Sequence, residues 1–253
     1  RVNLYDLAAM GGVPRAYTLN MTLPRDVKDA WVKAFCQGLA DQQSNFGIGL
    51  LGGDSVLSPG PATFSATLFG EVPVGQAIRR EGASPGDYIF VSGTIGDGAL
   101  GLLAAKGKLV ALDEVNARLL TERYRTPEPR IALGLALRGN ATAGTDISDG
   151  LLADISHIAD VSNVGAIVEL AKVPLSSGGE FALKAEPLLW KNIVTGGDDY
   201  ELVFTGTENL AEKVKSSRVP ITCIVRIIAG DGVQLLNEQK KSLHIDVSGY
   251  RHG

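Results

Sequence analysis

The sequence predicts a fold of the α/β (α+β) class with two domains, on the basis of three observations. Its 253 residues lie near the length, ~250 residues, beyond which a single core tends to split. Strand-like and helix-like patterns follow one another along the chain. A dense turn signal at residues 84–87 leads directly into a predicted strand, so we place one domain at residues 1–83 and a second at residues 84–253.

The first predicted domain contains amphipathic strands and one clear helix. Apolar and polar residues alternate over residues 17–22 and again over residues 64–68, which is the period of a half-buried strand. Between them, apolar residues recur at helical spacing over residues 27–35, behind a candidate N-cap at Asp26. The pattern predicts a sheet that is covered on one face.

In the second predicted domain, helices and strands are mixed. Strands are predicted at residues 88–92, 165–169, 200–204 and 221–228, and helices at residues 100–105, 114–124, 129–137 and 151–159.

Charge and composition exclude several classes of protein. The net charge is only −4 and basic residues form no long run, so a nucleic-acid or membrane-surface partner is not indicated and a small molecule is favoured. No apolar stretch approaches the ~20 residues of a membrane span. Cys36 and Cys223 are isolated, which argues against a disulfide framework or a zinc site and fits a reducing cytoplasm.

Three short clusters combine glycine with aspartate, at residues 52–55, 146–150 and 196–200, where we expect strand ends or helix starts; Asp6 adds a fourth acidic position. Each has an ordinary explanation, since Ser148 or Asp149 can cap the following helix and Gly-Gly-Asp is common in turns. Together, so many carboxylates require a cation, and hard oxygen ligands suit Mg²⁺. A nucleoside triphosphate with Mg²⁺ is the natural occupant.

A competing motif is the G-x-G-x-x-G match at residues 96–101, which follows a predicted strand and precedes a helix. The match departs from a dinucleotide-binding fingerprint, because three residues separate Ser92 from the first glycine and the preceding strands lack a βαβ pattern. No GxSxG elbow and no cysteine–histidine pair is evident, so covalent nucleophilic catalysis is not predicted. His157 lies near an apolar helical stripe, which favours a structural role.

The beginning of the chain gives a further expectation. Residues 1–10 have the pattern of a helix that carries an aspartate, with no cap or turn before it and no initial Met. We therefore expect a preceding N-terminal segment.

Read in order, these segments resemble the thiamine-monophosphate kinases. "VNLYDLAAMGGVPRAYTLNMTLP" is similar to that family's NLSDLAAMGA-P segment, and "GGDS", "RREGASPGDYIFVSG", "TDISDGLLADISHIA", "GGDDYEL" and "GYRHG" resemble its later signatures in the same order. The resemblance spans essentially the whole chain. It implies a two-domain aminoimidazole ribonucleotide synthetase-like fold, with an N-terminal domain that forms a dimeric β-barrel in a homodimer, a C-terminal α/β domain, and ATP between them.

Carried over by motif, the resemblance also implies roles for individual residues. Asp6, Asp54, Asp146 and Asp149 match Mg²⁺ ligands, and Gly53, Asp54, Arg80 and Ser148 match positions that bind ATP. Asp198 and Tyr250 match positions that contact thiamine, although the family usually has Glu where this chain has Asp198. Gly253 stands where the family tends to have Phe, and the family's Gly-Asp-Asp run and Asp-Thr pair belong to the expected N-terminal segment.

The implied activity is phosphorylation of thiamine monophosphate by ATP and Mg²⁺ to give thiamine diphosphate, by direct in-line transfer. A phosphate monoester has a second pKa near ~6, so its attacking oxygen is ionised at neutral pH and needs no general base. The absence of a histidine base is then expected. Two alternatives stay open: another ATP-dependent synthetase of the same superfamily, and a noncatalytic nucleotide-binding regulator.

Overall fold

The computed structural model describes residues 1–245 and contains two β-sheets. A three-stranded sheet has the order β2-β1-β3, and a seven-stranded sheet has the order β10-β9-β6-β8-β4-β7-β5. The strands are β1 (Val13–Pro24), β2 (Gly49–Ser58), β3 (Thr63–Glu71), β4 (Tyr88–Ser92), β5 (Ala143–Asp146), β6 (Gly165–Glu169), β7 (Leu202–Gly206), β8 (Ile221–Ile228), β9 (Val233–Leu236) and β10 (Ser242–Leu243). The α-helices are α1 (Val2–Ala9), α2 (Asp29–Phe46), α3 (Asp97–Ala105), α4 (Glu114–Arg125), α5 (Ile131–Leu137), α6 (Leu151–Ser162), α7 (Ser177–Ala185), α8 (Trp190–Thr195) and α9 (Leu210–Lys213).

The smaller sheet is built around β1, which pairs in parallel with β2 and antiparallel with β3. Helix α2 contacts β3 through aromatic rings: the centroids of Trp31 and Phe35 lie 5.3 Å apart, and Phe35 lies 5.0 Å from Phe64. The predicted strands and helix are confirmed, but the predicted N-cap at Asp26 is wrong. The helix begins at Asp29 after an extended Lys28, because the backbone first makes a turn in which the N–H of Val27 donates to Pro24.

The larger sheet follows the turn at residues 84–87, where the N–H of Asp87 donates to the carbonyl of Ser84 at 3.0 Å. Its interior strand β4 pairs antiparallel with both β7 and β8, and helices pack against the sheet over an extensive aliphatic core. The predicted strands at β4, β6 and β8 are confirmed. The division of the chain at residues 83 and 84 stays a prediction.

Helix α1 belongs to the first part of the chain but packs against α5 and β5 of the second. Its apolar face is buried, and a Cβ at Gly134 of α5 would lie 2.0 Å from the carbonyl oxygen of Ala8. The two helices therefore approach closely only because α5 has glycine there. Asp6 lies on the exposed face of α1, which directs it to the region beside β5.

Strand β2 forms an edge of the smaller sheet, and that sheet is open in the described part of the chain. The strand is exposed along nearly its whole length, although it carries Leu50, Leu51, Val56 and Leu57. No helix in residues 1–245 is long and apolar enough to cross a membrane.

Candidate active site

The candidate site is formed where two loops meet at the ends of β5 and β7. One loop, residues 147–150, leads from β5 into α6, and the other, residues 196–201, leads from α8 into β7. The N–H of Tyr200 donates to the carbonyl of Ile147 at 2.8 Å, and the N–H of Asp198 donates to the carbonyl of Ser148 at 3.0 Å. Two of the three acidic clusters that the sequence singled out are thus hydrogen-bonded to each other.

Glycine is required where these loops touch. A Cβ at Gly197 would lie 2.2 Å from the carbonyl oxygen of Ser148, and a Cβ at Gly150 would lie 2.7 Å from that of Thr195. Gly150 also has a φ of 124°, a conformation that side chains disfavour. The Gly-Asp pattern at these positions therefore has a packing reason in addition to any chemical one.

A cavity of about 210 Å³ lies between α1 and β5, and Asp6, Arg80 and Asp146 are among its lining residues. Burial raises the pKa of Asp146, and the neighbouring carboxylate of Asp6 raises it further, while Arg80 partly offsets the effect. Arg80 is held by a hydrogen bond from its Nε to the hydroxyl of Thr145 at 3.1 Å. Two carboxylates and two arginines thus line one small space, and the second arginine, Arg79, also donates to Glu81 at 2.8 Å.

A larger cavity of about 670 Å³ lies against the two loops and is lined in part by Ser148, Asp149 and Asp198. Ala99, Leu102 and Tyr124 supply an apolar wall, so the cavity combines polar and apolar surface as ligand sites usually do. The structure therefore groups six of the predicted residues into two sets, with Asp6, Arg80 and Asp146 in one cavity and Ser148, Asp149 and Asp198 in the other.

Tyr200 lies between the two sets. The residue lines the larger cavity, and its ring packs against that of Tyr5 of α1 in a tilted arrangement, with the centroids 5.1 Å apart. The pKa of its hydroxyl is raised first by burial and then by the negative charges of Asp198, Asp146 and Asp6. The sequence analysis did not identify this residue, and its position within the Asp-rich cluster was the available signal.

Gly53 and Asp54 are not brought to either cavity. The prediction that residues 52–55 lie at a strand end or helix start is wrong, because they lie inside β2. Asp54 receives a backbone hydrogen bond from Ser55, and its own N–H donates to Asn20 of β1 at 3.0 Å. A Cβ at Gly53 would lie 1.8 Å from the carbonyl oxygen of Leu19, so glycine is required there by strand contact. Tyr250 lies outside the described residues.

The glycines of the G-x-G-x-x-G match have structural roles. The N–H groups of Gly96 and Gly98, at the start of α3, donate to the two carboxylate oxygens of Asp199 at 2.7 and 2.8 Å. A helix N-terminus that binds a buried side-chain carboxylate is not open to the pyrophosphate of a dinucleotide. Burial raises the pKa of Asp199 to about 8, although these two N–H donors oppose the shift.

Asp154, in the first turns of α6, is a further residue that sequence reasoning missed. Its Oδ2 accepts from the N–H groups of Ser148, Asp149 and Gly150 at 3.0, 3.1 and 3.2 Å. The expectation that Ser148 or Asp149 caps α6 is wrong, since the N-cap is Gly150 and no side chain caps the helix. The signal was a carboxylate on the buried stripe of α6, beside Leu151, Ile155 and Ile158.

His157 extends from α6 toward the same carboxylate. Its Nδ1 lies 3.4 Å from Oδ1 of Asp154, and its side chain is 45% exposed. One possible ligand atom each from Asp149, Asp154 and His157 lies within 4.8 Å of the others. Asp154 already uses one oxygen for three N–H groups, so its capacity to hold an ion is reduced.

The carboxylates of the smaller cavity fit Mg²⁺ by their chemistry. Asp6 and Asp146 are hard oxygen ligands that line one small cavity. Burial raises the pKa of Asp146, and the nearby carboxylate of Asp6 raises it further. A divalent cation would offset the repulsion between the two carboxylates.

Comparisons with known proteins agree with this geometry. Residues 1–72 match the family model described as AIR synthase related protein, N-terminal domain, and residues 84–216 match AIR synthase related protein, C-terminal domain. The thiamine-monophosphate kinase of Caulobacter vibrioides is 42% identical over 240 residues, which cover 92% of this chain and 67% of the relative. That of Escherichia coli is 39% identical over 99% of this chain and 77% of its own length.

Solved structures give the same result. The thiamine-monophosphate kinase of Stenotrophomonas maltophilia superposes with a TM-score of 0.83 at 41% identity, over 92% of this chain and 75% of that chain. A structure described as "AaThiL complexed with AMPPCP and TMP" superposes with a TM-score of 0.85 at 30% identity, over all of this chain and 78% of that chain. The hydrogenase maturation protein HypE, at 18% identity and a TM-score of 0.77, shares the fold.

Proposed function

Because this chain belongs to the thiamine-monophosphate kinase family, we propose that it transfers the terminal phosphoryl group of ATP to thiamine monophosphate, giving ADP and thiamine diphosphate. The relatives of known name support the reaction, and the complex with AMPPCP and TMP supports the pair of substrates. The observation that carries the proposal is a pair of cavities joined by the segment 146–149, one lined by Asp6, Arg80 and Asp146 and the other by Ser148, Asp149 and Asp198.

In this proposal, Asp6, Asp54, Asp146 and Asp149 hold Mg²⁺. Bound Mg²⁺ would neutralise part of the phosphate charge and hold the phosphate oxygens in a fixed geometry. Asp6 and Asp146 are suited to it because their two carboxylates share one small cavity, where the charge of Asp6 raises the pKa of the buried Asp146 further. Asp54 lies on the exposed strand β2 and joins the site only if a substrate or another part of the assembly reaches that strand.

The chain's own residues bind and orient the two phosphorylated substrates. Arg80, which lines the cavity with Asp146, places a planar cation able to bind two phosphate oxygens. The hydroxyl of Ser148 can donate to a phosphate oxygen, and Gly53 is the further proposed contact to ATP. The acceptor phosphate is already ionised at neutral pH, so positioning and charge compensation account for catalysis without a protein base.

Asp198 and Tyr250 are the proposed thiamine contacts. Asp198 lines the larger cavity opposite the apolar wall, so a carboxylate faces the space in which a cationic heteroaromatic ring would fit. Asp198 has a φ of 68°, a left-handed conformation that aspartate tolerates better than most residues. That backbone conformation sets the direction of its side chain.

The assembly is also part of the proposal. We propose a homodimer in which the N-terminal domain, residues 1–83, completes a β-barrel with its mate, while residues 84–253 form the C-terminal domain. The exposed leucines and valine of edge strand β2 support it, since an apolar edge strand usually pairs with another chain or segment. The free thiols of Cys36 and Cys223 suit a reducing cytoplasm, where we place the enzyme.

The test measures ADP and thiamine diphosphate release by the purified full-length protein with ATP and Mg²⁺, using thiamine monophosphate, free thiamine or no acceptor. We expect turnover only with thiamine monophosphate. Asp149→Asn should lower kcat by about 100-fold or more, because a metal and phosphate site loses a charge. Asp160→Asn, an exposed position at the end of the same helix, should stay within about twofold of the parent.

Other outcomes favour the alternatives. ADP release that is independent of thiamine monophosphate but requires a different acceptor would indicate another synthetase of the superfamily. Tight ATP binding without turnover with any acceptor would indicate a nucleotide-binding regulator.

A further inference from the structure

Asp154 is a buried charged residue to which the proposed reaction gives no direct role. Its side chain is 2% exposed, and its Oδ2 accepts three backbone hydrogen bonds from consecutive residues, Ser148 to Gly150. These N–H groups belong to the loop and the N-cap, so they are not the donors of the first helical turn that a capping side chain normally satisfies. The carboxylate lies in the first turn of α6, but the hydrogen bonds that it accepts all come from the loop and the N-cap.

We propose that Asp154 is a positioning residue that fixes the backbone of residues 148–150, so that Ser148 and Asp149 face the larger cavity. Three donors that converge on one oxygen leave the loop little freedom to rotate, and the peptide planes set the directions of the side chains between them. The catalytic consequence rests on the proposed function, whereas the restraint on the loop does not.

The opposite side of the loop is held by different contacts. The carbonyls of Ile147 and Ser148 accept from Tyr200 and Asp198, and the N–H of Ile147 donates to the carbonyl of Glu201. Residues 148–150 donate none of their own N–H groups to that neighbouring loop. Loss of the Asp154 oxygen would thus leave the carbonyl side of the loop in place and free its N–H side.

Three substitutions at Asp154 separate the effect of the position of its acceptor oxygen from the effect of its charge. Asp154→Asn keeps an acceptor oxygen and removes the charge, and its amide can donate to Nδ1 of His157. Asp154→Glu keeps the charge but displaces the oxygen by one methylene. Asp154→Ala removes both, and Asp160→Ala is the matched control on an exposed turn of the same helix.

The first readout is amide hydrogen exchange of residues 147–151 in the metal-free full-length protein. We expect exchange at residues 148–150 to be about tenfold or more faster in Asp154→Ala and faster in Asp154→Glu, because the three N–H groups lose their acceptor. Asp154→Asn should stay within about threefold of the parent, and Asp160→Ala should be unchanged.

The second readout is steady-state kinetics. We expect kcat to fall about 10- to 100-fold in Asp154→Ala, with KM for thiamine monophosphate changed less than about threefold and with rescue by Asp154→Asn. Unchanged amide exchange in Asp154→Ala would overturn the proposal. It would also be overturned if Asp154→Glu kept the exchange and kcat of the parent while Asp154→Asn did not, because that result would indicate a role for charge. If Asp154→Ala does not fold, the comparison of Asp154→Asn with Asp154→Glu tests the proposal. A parent without turnover on thiamine monophosphate would refute the proposed function while the exchange result still tests the restraint.

Discussion

At the scale of single residues, Glu201 connects the loop of the candidate site to neighbouring elements through buried hydrogen bonds. Its carboxylate is fully buried and accepts from Nε and Nη2 of Arg130 at 2.8 and 2.5 Å, from Arg123, and from the hydroxyl of Ser92 at 2.5 Å. The backbone of the same segment is hydrogen-bonded to Ile147, because the N–H of Tyr200 donates to the carbonyl of Ile147 and the carbonyl of Glu201 accepts from its N–H. One carboxylate therefore joins β4, the two arginines and the loop that carries Asp198.

Glu201→Gln should destabilise the protein by about 3 kcal/mol, because two largely buried guanidinium groups lose their counter-charge. Urea unfolding of the parent and variant measures the free energy of unfolding. The control is Glu122→Gln, whose partner Arg118 and own side chain are 73% and 63% exposed, and whose effect should stay below about 0.5 kcal/mol. Equal effects at the two positions would contradict the argument.

The raised pKa of the buried Asp199 predicts that the stability of the protein depends on pH. Burial raises its pKa in the folded protein to about 8, above the value of about 4 in the unfolded chain, so the folded state binds more protons between these values. Its contribution to stability is therefore greatest below about pH 4 and is lost as pH rises toward 8.

We expect the free energy of unfolding of the parent to fall between pH 5 and 8 more steeply than that of Asp199→Asn, by up to about 1.4 kcal/mol per pH unit. Asn can accept only one of the two N–H groups of Gly96 and Gly98, so the variant should also be less stable at pH 5. Parallel curves for the two proteins would show that this carboxyl does not titrate in the window.

At the scale of elements, the site depends on the close approach of two loops. Gly197→Ala would place a Cβ 2.2 Å from the carbonyl oxygen of Ser148, and backbone on both sides leaves little room to move. We expect a loss of about 2 kcal/mol or more in stability and a large loss of turnover, since the loops carry Asp149 and Asp198. Thermal unfolding and the kinase assay provide the measurements.

The matched control for that substitution is Gly38→Ala in the middle of α2. A Cβ there meets nothing within 4 Å, so alanine should stabilise the helix by roughly 0.5–1 kcal/mol and leave activity unchanged. A Gly197→Ala protein that behaves like Gly38→Ala would show that the loops can separate without cost.

At the scale of the whole molecule, β2 is an edge strand whose apolar side chains have no cover in residues 1–245. Leu51 is 68% exposed and Leu57 is 58% exposed, in a strand where polar side chains would be expected if the edge faced water. These side chains fit the proposed barrel between two copies.

We expect Leu51→Asp to shift the full-length protein from dimer to monomer, because a carboxylate would be buried without a partner at the interface. Light scattering after size-exclusion chromatography gives the mass. Val110→Asp, at a position 95% exposed outside the smaller sheet, should leave the mass unchanged. A dimer that tolerates Leu51→Asp would place the interface elsewhere.

The sequence by itself determined the family, the class of fold and many of the elements. Period-2 and helical patterns are local properties, so β4, β6, β8 and the body of α2 could be predicted from neighbouring residues alone. The ordered glycine and aspartate motifs, similar to those of the thiamine-monophosphate kinases, indicated the reaction. Short elements such as β5, and the true start of α2, carried too few residues for a pattern to be decisive.

Only the tertiary structure decided which of those residues meet. Asp6 joins Asp146 because α1 packs across β5, and Asp149 lies beside Asp198 because glycines let two loops touch. At the start of α3, the N–H groups of Gly96 and Gly98 donate to Asp199, which is 101 or more positions away in the chain. Asp54 lies apart from both cavities, on the edge strand β2. Such contacts join residues far apart in the chain, and local periodicity contains no information about a partner at that distance, so the folded packing alone assigns them.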